Sequence, residues 1–84
     1  MKLIEFESSW CQPCSAQHEI MEDLEEFLGV DVEYIDVEEN QDIANEYGVR
    51  GIPFIVLEED GEVLESFQGL TQADTIAEAV NRNS

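Results

Sequence analysis

The amino-acid sequence predicts an α/β domain in the order β-α-β-α-β-β-α, and three observations carry that prediction. A short apolar run, Leu3-Ile4-Glu5-Phe6, leads through Glu7-Ser8-Ser9 into Cys11-Gln12-Pro13-Cys14, which heads a long helical period. A second run of strand character, Val30 to Val37, follows that helix after Gly29. Asp60-Gly61 then separates two further strand-like runs, the signal of an antiparallel hairpin.

Taken in order, Lys2 to Phe6 reads as a buried parallel strand, broken only by Glu5. Glu7-Ser8-Ser9 reads as the turn that follows it. The first helix is expected from about Cys11 to Leu28. Its apolar stripe is read as Ala16, Ile20, Leu24, Phe27 and Leu28, and Gly29 ends it. In the second strand Val30, Val32 and Tyr34 share a face. A helix between strands implies a parallel crossover. Asn40 is placed to cap a short helix through Ile43, Ala44 and Tyr47, stopped by Gly48. Phe54 to Leu57 and Val63 to Phe67 form the hairpin, Gly69 breaks the chain, and Thr71 caps a last helix with stripe Ile76, Ala77 and Val80.

A chain of 84 residues, 43% hydrophobic, has room for one core, so residues 1–84 are expected to form a single domain. No apolar run approaches the roughly 18–20 residues needed to cross a bilayer. Met1-Lys2-Leu3-Ile4-Glu5 enters a strand at once and resembles no signal peptide, which makes the cytoplasm the expected location. Asp and Glu number 21 against three basic residues, Lys2, Arg50 and Arg82, for a net charge of −18. Such a surface repels nucleic acid and anionic membranes. Apolar positions recur between the acids, which argues for a folded domain rather than a disordered acidic segment. At molar salt the Debye length is only about 3 Å and self-repulsion is screened. The composition resembles the acidic, lysine-poor proteins of extreme halophiles.

The chemistry concentrates at Trp10-Cys11-Gln12-Pro13-Cys14, which holds both cysteines and the only tryptophan. Strand, Cys-x-x-Cys, helix is the arrangement of a thiol–disulfide redox site. Two intervening residues at a helix start bring the sulfurs into disulfide range, near the positive end of the helix. Unpaired first-turn N–H groups can stabilise a thiolate on Cys11. Pro13 fits because a first-turn position has no N–H partner to lose. Half of a zinc or iron–sulfur site is the competing reading. It is weak, since structural zinc takes four ligands and the chain has no second cysteine pair and one histidine, although a dimer could supply Cys11, Cys14 and His18 twice.

The chain resembles the thioredoxin family. Trp10-Cys11-Gln12-Pro13-Cys14 matches the family's W-C-x-P-C, Tyr47-Gly48-Val49-Arg50-Gly51-Ile52-Pro53 matches the approach to its cis-proline loop, and Asp60-Gly61-Glu62 and Gly69 fall at its hairpin and groove glycine. The resemblance implies a four-stranded mixed sheet with the first and last helices on one face and the middle helix on the other. The family's usual first strand and first helix are not in this sequence. Gln12 stands where glycine is usual, Glu19 where the family kinks its helix with proline, Glu5 where it buries an aspartate, and Tyr34 where it has lysine.

By that resemblance Cys11, on the exposed side of the turn, is the nucleophile and Cys14 the resolving thiol of a protein-disulfide reductase. Its only cofactor is the Cys11–Cys14 pair, with no metal. Its partners are protein disulfides and an upstream disulfide reductase, and it is expected to be a monomer without nucleic-acid or membrane partners. Ile52–Pro53 is expected to be cis, and Trp10, Ile52, Pro53 and Gly69 to form a shallow substrate groove. Glu5, a carboxylate within an apolar strand, is expected to be buried and to exchange a proton with Cys14, with Tyr34 offering it at most a hydrogen bond. His18, one helical turn beyond Cys14, reads as a solvated helix position, with tuning of a thiol as the alternative. The alternatives are glutaredoxin-like chemistry with a low-molecular-weight thiol, favoured by the short core but not by Trp10 or the scarcity of cations, and a non-enzymatic metal-binding or interaction module.

Overall fold

Leu3, Ile4, Glu5 and Phe6 are all buried, so β1 (Lys2–Glu7) is covered on both faces, and the other elements are arranged around it. The computed structural model describes residues 1–84. The remaining elements are α1 (Gln12–Leu28), β2 (Asp31–Asp36), α2 (Gln41–Glu46), β3 (Phe54–Glu59), β4 (Glu62–Gln68) and α3 (Ala73–Arg82). The four strands make one mixed sheet in the order β2-β1-β3-β4. β1 pairs parallel with β2, placing Glu5 opposite Tyr34, and antiparallel with β3, placing Glu5 opposite Ile55. The β3–β4 hairpin turns through Asp60 (φ 52°) and Gly61 (φ 81°), two left-handed residues that match the twist of the flanking strands.

Period-two alternation divides β1 and β3 between two cores. Leu3, Ile55 and Leu57 face α1 and α3 and pack with Met21, Leu24, Ile76, Ala79 and Val80. Ile4, Phe6 and Val56 point the other way, onto Ile35 of β2 and Ala44 of α2. The expected element order, strand directions and helix placement are therefore all present.

All three helices differ from the sequence reading in detail. The buried residues of α1 are Cys14, Gln17, Met21 and Leu24, whereas Ala16 and Phe27 are exposed. Docking of Cys14 beneath the sheet end sets the helix phase, and the true stripe runs from it at spacings of three and four. In α3 the buried face is Ile76, Ala79 and Val80, with Ala77 half-buried beside it. Asn40 does stand at the N-cap of α2 but makes no side-chain cap; its Nδ2 donates to the Asp36 carbonyl at 3.0 Å. The N-cap of α3 is Gln72 rather than Thr71. Thr71 is engaged elsewhere: its N–H donates to Gln17 Oε1 at 2.7 Å, and Gln17 Nε2 donates back to its carbonyl at 3.0 Å. Gln17 is fully buried and thereby ties the segment after β4 to the middle of α1.

The surface holds few charge-balancing contacts. Lys2 bridges to Glu33 at 2.8 Å and Arg82 to Glu65 at 2.7 Å, while Arg50 has no carboxylate within ion-pair range. The opposing partner raises the pKa of both Lys2 and Arg82.

Two expectations follow. Gln17→Leu orphans both backbone groups of Thr71 and should destabilise the fold by about 2–3 kcal/mol, measured by chemical denaturation in high salt. A loss below about 0.5 kcal/mol would show that water replaces the amide. The melting temperature should rise along a salt series as repulsion among the carboxylates is screened, read by circular dichroism; a flat series would mean that the core alone carries the fold.

Candidate active site

The end of β1 hands the chain to α1 through Ser8, Ser9 and Trp10, with Cys11 N–H donating to the Ser8 carbonyl at 3.3 Å. Cys11 is the N-cap of α1, extended at φ −94° and ψ 105°, and its Sγ accepts the Cys14 backbone N–H at 3.2 Å. The sulfur thus occupies the place of a capping oxygen, where a helix terminus stabilises negative charge. Pro13 lies in the first turn, where no N–H is lost. Cys11 and Cys14 are joined as a disulfide with Cα atoms 5.2 Å apart.

The sequence places Cys11 on the exposed side of the turn, yet it retains only 5% of its surface, against 1% for Cys14. Trp10 is 67% exposed, which removes any core role and leaves its ring free beside the disulfide. It lines an apolar cleft with Val37, Ala44, Val49, Gly51 and Ile52, and Arg50 stands at its edge. The Ile52–Pro53 peptide is cis. Ile52 makes no backbone hydrogen bond, leaving its N–H and carbonyl open for a guest chain. Pro53 and Gly69 do not line the cleft. They are held to each other by Gly69 N–H donating to the Pro53 carbonyl at 2.8 Å, with Gly69 left-handed at φ 83°. A side chain at Gly51 would meet the Gln68 amide at 3.0 Å.

Glu5 is buried, at 0% exposure, on the sheet face covered by α1 and α3. With Glu5 ionised, neither of its carboxylate oxygens has a hydrogen-bond partner, and the Tyr34 hydroxyl, also buried, has none either. The expected hydrogen bond from Tyr34 is not made. Burial is the main cause that pushes Glu5 up to about 8, helped by the charge of Glu7 and by hydrogen bonding with it. That last contribution belongs to the protonated form, because a proton on Glu5 gives the pair the donor that two carboxylates lack. Burial, with Glu22 and Glu25 next, likewise pushes Tyr34 up to about 12.

His18 is not a free surface residue. Its ring stacks on Tyr34 with centroids 3.8 Å apart, and its Nδ1 is 3.1 Å from Glu7 Oε1. Glu5, Glu7 and His18 each bring one ligand-type atom within 4.8 Å of the others and are the one group of that kind in the structure. Their electrostatics suit a shared proton, since Glu5 is sealed off and favours its neutral form. Glu7 belongs to β1 rather than to the turn, and its place two residues after Glu5 is the signal that the two share a face.

Comparison with known proteins agrees with this geometry. The Thioredoxin family model matches residues 1–82. Thioredoxin from Bacillus subtilis is 36% identical over 83 residues, covering 96% of this chain and 80% of its own. The solved structure of a point-mutant thioredoxin from Halobacterium salinarum NRC-1 superposes with TM-score 0.90 at 40% identity, over 95% of this chain and 71% of that one. Fasciola hepatica thioredoxin superposes with TM-score 0.86 at 28% identity, over 98% and 79% respectively.

The Glu5 environment predicts a pH effect on folding. Its pKa in the folded chain, about 8, lies above the ordinary 4.5, so the stability it contributes is complete below the ordinary value and is lost as pH rises through about 8. Glu5→Gln removes that loss. Relative to wild type, the variant should gain about 4 kcal/mol between pH 5 and pH 9 in denaturation at constant high salt. Parallel stability curves would mean that Glu5 reaches water.

Proposed function

The chain belongs to the thioredoxin family and is a thiol–disulfide oxidoreductase, and from that premise we propose that Cys11 attacks, Cys14 resolves and Glu5 manages the proton. Neither a glutaredoxin-type electron donor nor a metal-binding module is favoured by its relatives, which are thioredoxins. The observation that carries the assignment is the Cys11 sulfur seated as the helix cap, accepting the Cys14 N–H.

In the forward direction the Cys11 thiolate attacks one sulfur of a protein disulfide. The substrate S–S bond breaks, one substrate thiolate leaves and takes up a proton, and a mixed disulfide to Cys11 remains. Cys14 then gives its proton to ionised Glu5 and attacks Cys11 Sγ. The intermolecular bond breaks, the second substrate thiolate leaves, and the Cys11–Cys14 disulfide forms. Two electrons have moved to the substrate. An upstream dithiol reductase returns them. On that leg protonated Glu5, with its pKa near 8, supplies the proton that Cys14 needs as it leaves.

Trp10 and Ile52 are the proposed contacts for an extended substrate segment, with Pro53 and Gly69 fixing the shape of the loop behind them. The disulfide pair is the proposed sole cofactor. Residues 1–84 act as one domain, a reading supported by two cores sharing one sheet. A monomer in the cytoplasm is the proposed state, supported by dithiol chemistry that needs a reducing compartment. A net charge of −18 disfavours nucleic acid and anionic lipid as partners, and no helix is long and apolar enough to cross a membrane.

The test is insulin disulfide reduction in high salt. Cys11→Ser should fall to background, whereas Cys14→Ser should accumulate a mixed disulfide with substrate. Alkylation of Cys11 against pH should show a midpoint below the free-thiol value of about 8.5, because the helix terminus favours the thiolate. Trapping through Cys14 instead, or a Cys11 midpoint at or above the free value, would reverse the assignment.

A further inference from the structure

Glu5 has no surface of its own, so every proton it gives or receives must pass through a neighbour. Glu7 follows on the same face of β1 and is half-buried, and its carboxylate meets His18 Nδ1 at 3.1 Å. The stack on Tyr34 holds the imidazole in that orientation, and its Nε2 lies toward the exposed Glu22, at 4.0 Å. A cleft of about 360 Å³ opens beside these groups, and Glu7, Cys14 and His18 all line it. The buried cysteine and the Glu7–His18 pair therefore share one opening to solvent.

We propose that Glu7 and His18 form the proton passage between solvent and the Glu5–Cys14 pair, acting as positioning and relay residues for the thiol–disulfide reaction. The proposal rests on the proton role assigned to Glu5 above. When a dithiol reductant attacks Cys11, the Cys11–Cys14 bond breaks and Cys14 departs as a thiolate, which takes the proton of Glu5. The emptied Glu5 is refilled from Glu7, Glu7 from His18 Nδ1, and His18 draws a proton from water at Nε2. Resolution of a mixed disulfide runs the same chain outward. No electrons pass through it, only one proton per turnover.

Among the groups around the pair imidazole is the only nitrogen base; the others are carboxylates and the Tyr34 phenol. Tyr34 and Asp36 face it from β2, Glu22 and Glu25 from α1, and β3 presents apolar Ile55. No lysine or arginine reaches it, since Lys2 pairs with Glu33, Arg82 with Glu65, and Arg50 stands at the Trp10 cleft. Imidazole is also the side chain suited to passing protons near neutral pH.

The experiment is stopped-flow reduction of the Cys11–Cys14 disulfide by dithiothreitol across pH ~5.5 to ~9, in molar salt with chelator, followed through Trp10 fluorescence. His18→Gln and Glu7→Gln should each slow the reaction roughly tenfold or more near neutral pH and flatten its pH profile. Free imidazole in the buffer should restore the rate of His18→Gly, while Cys11 alkylation stays at the wild-type rate. Wild-type profiles in both glutamine variants, or no rescue by imidazole, would overturn the passage. Glu5→Gln separates the two levels: if it is slow while Glu7→Gln and His18→Gln are not, only the passage fails, and if it too runs as wild type, the Glu5 role itself fails. His18 is partly exposed, so its variants decide the matter even if Glu7→Gln does not fold.

Discussion

β1 is covered on both faces, and much of the molecule follows from that one constraint. A strand with helices above and below must send alternate side chains into two dry cores, so Leu3 and Glu5 share one face while Ile4 and Phe6 share the other. An apolar residue at position 5 would add to the α1–α3 core. A glutamate there costs desolvation, and the chain retains it directly before the turn that carries the disulfide. The same strand end fixes where Cys11 can cap α1, because the cap geometry needs an extended residue followed at once by helix. Placement of the acid and placement of the thiol are thus two consequences of one buried strand.

Period and punctuation in the sequence are enough for the architecture. Gly29, Gly48, Asp60-Gly61 and Gly69 lie where the backbone turns left-handed, and those positions separate the elements correctly. Helix phase is harder to read. In α1, Phe27 lies on a plausible stripe, but Cys14 and the polar Gln17 are what the fold buries, and a stripe search that counts only apolar residues cannot find a glutamine whose hydrogen bonds lie 54 residues further along the chain. Thr71 reads as a cap for the complementary reason: its own side chain looks like a cap, while its backbone is claimed by that distant glutamine. At the site, the two cysteines, Trp10, Ile52 and Glu5 are legible from motif and resemblance. The pairing of Glu7 with His18 is not, because it is a contact between β1 and α1 that no local pattern encodes.

The electrostatics of the surface and of the site belong to different regimes. Most carboxylates are exposed, and at molar ionic strength a Debye length of about 3 Å separates each from the next. Screening is weakest between Glu5 and Glu7, where one carboxylate is wholly buried. The repulsion there is relieved by a proton on one of the two carboxyl groups. Salt thus acts on the exposed carboxylates, and pH on the buried one.

That separation also bears on what stands beside Glu5, an uncharged tyrosine rather than a lysine. A permanent cation beside Glu5 would hold it ionised and lower its pKa. Tyr34 occupies the neighbouring position without charge and without a hydrogen bond to Glu5, so burial keeps its full effect on the carboxyl group. His18 lies further out, bonded to Glu7 rather than to Glu5. The buried acid and the Glu7–His18 contact thus lie apart from all three basic residues of an acidic protein.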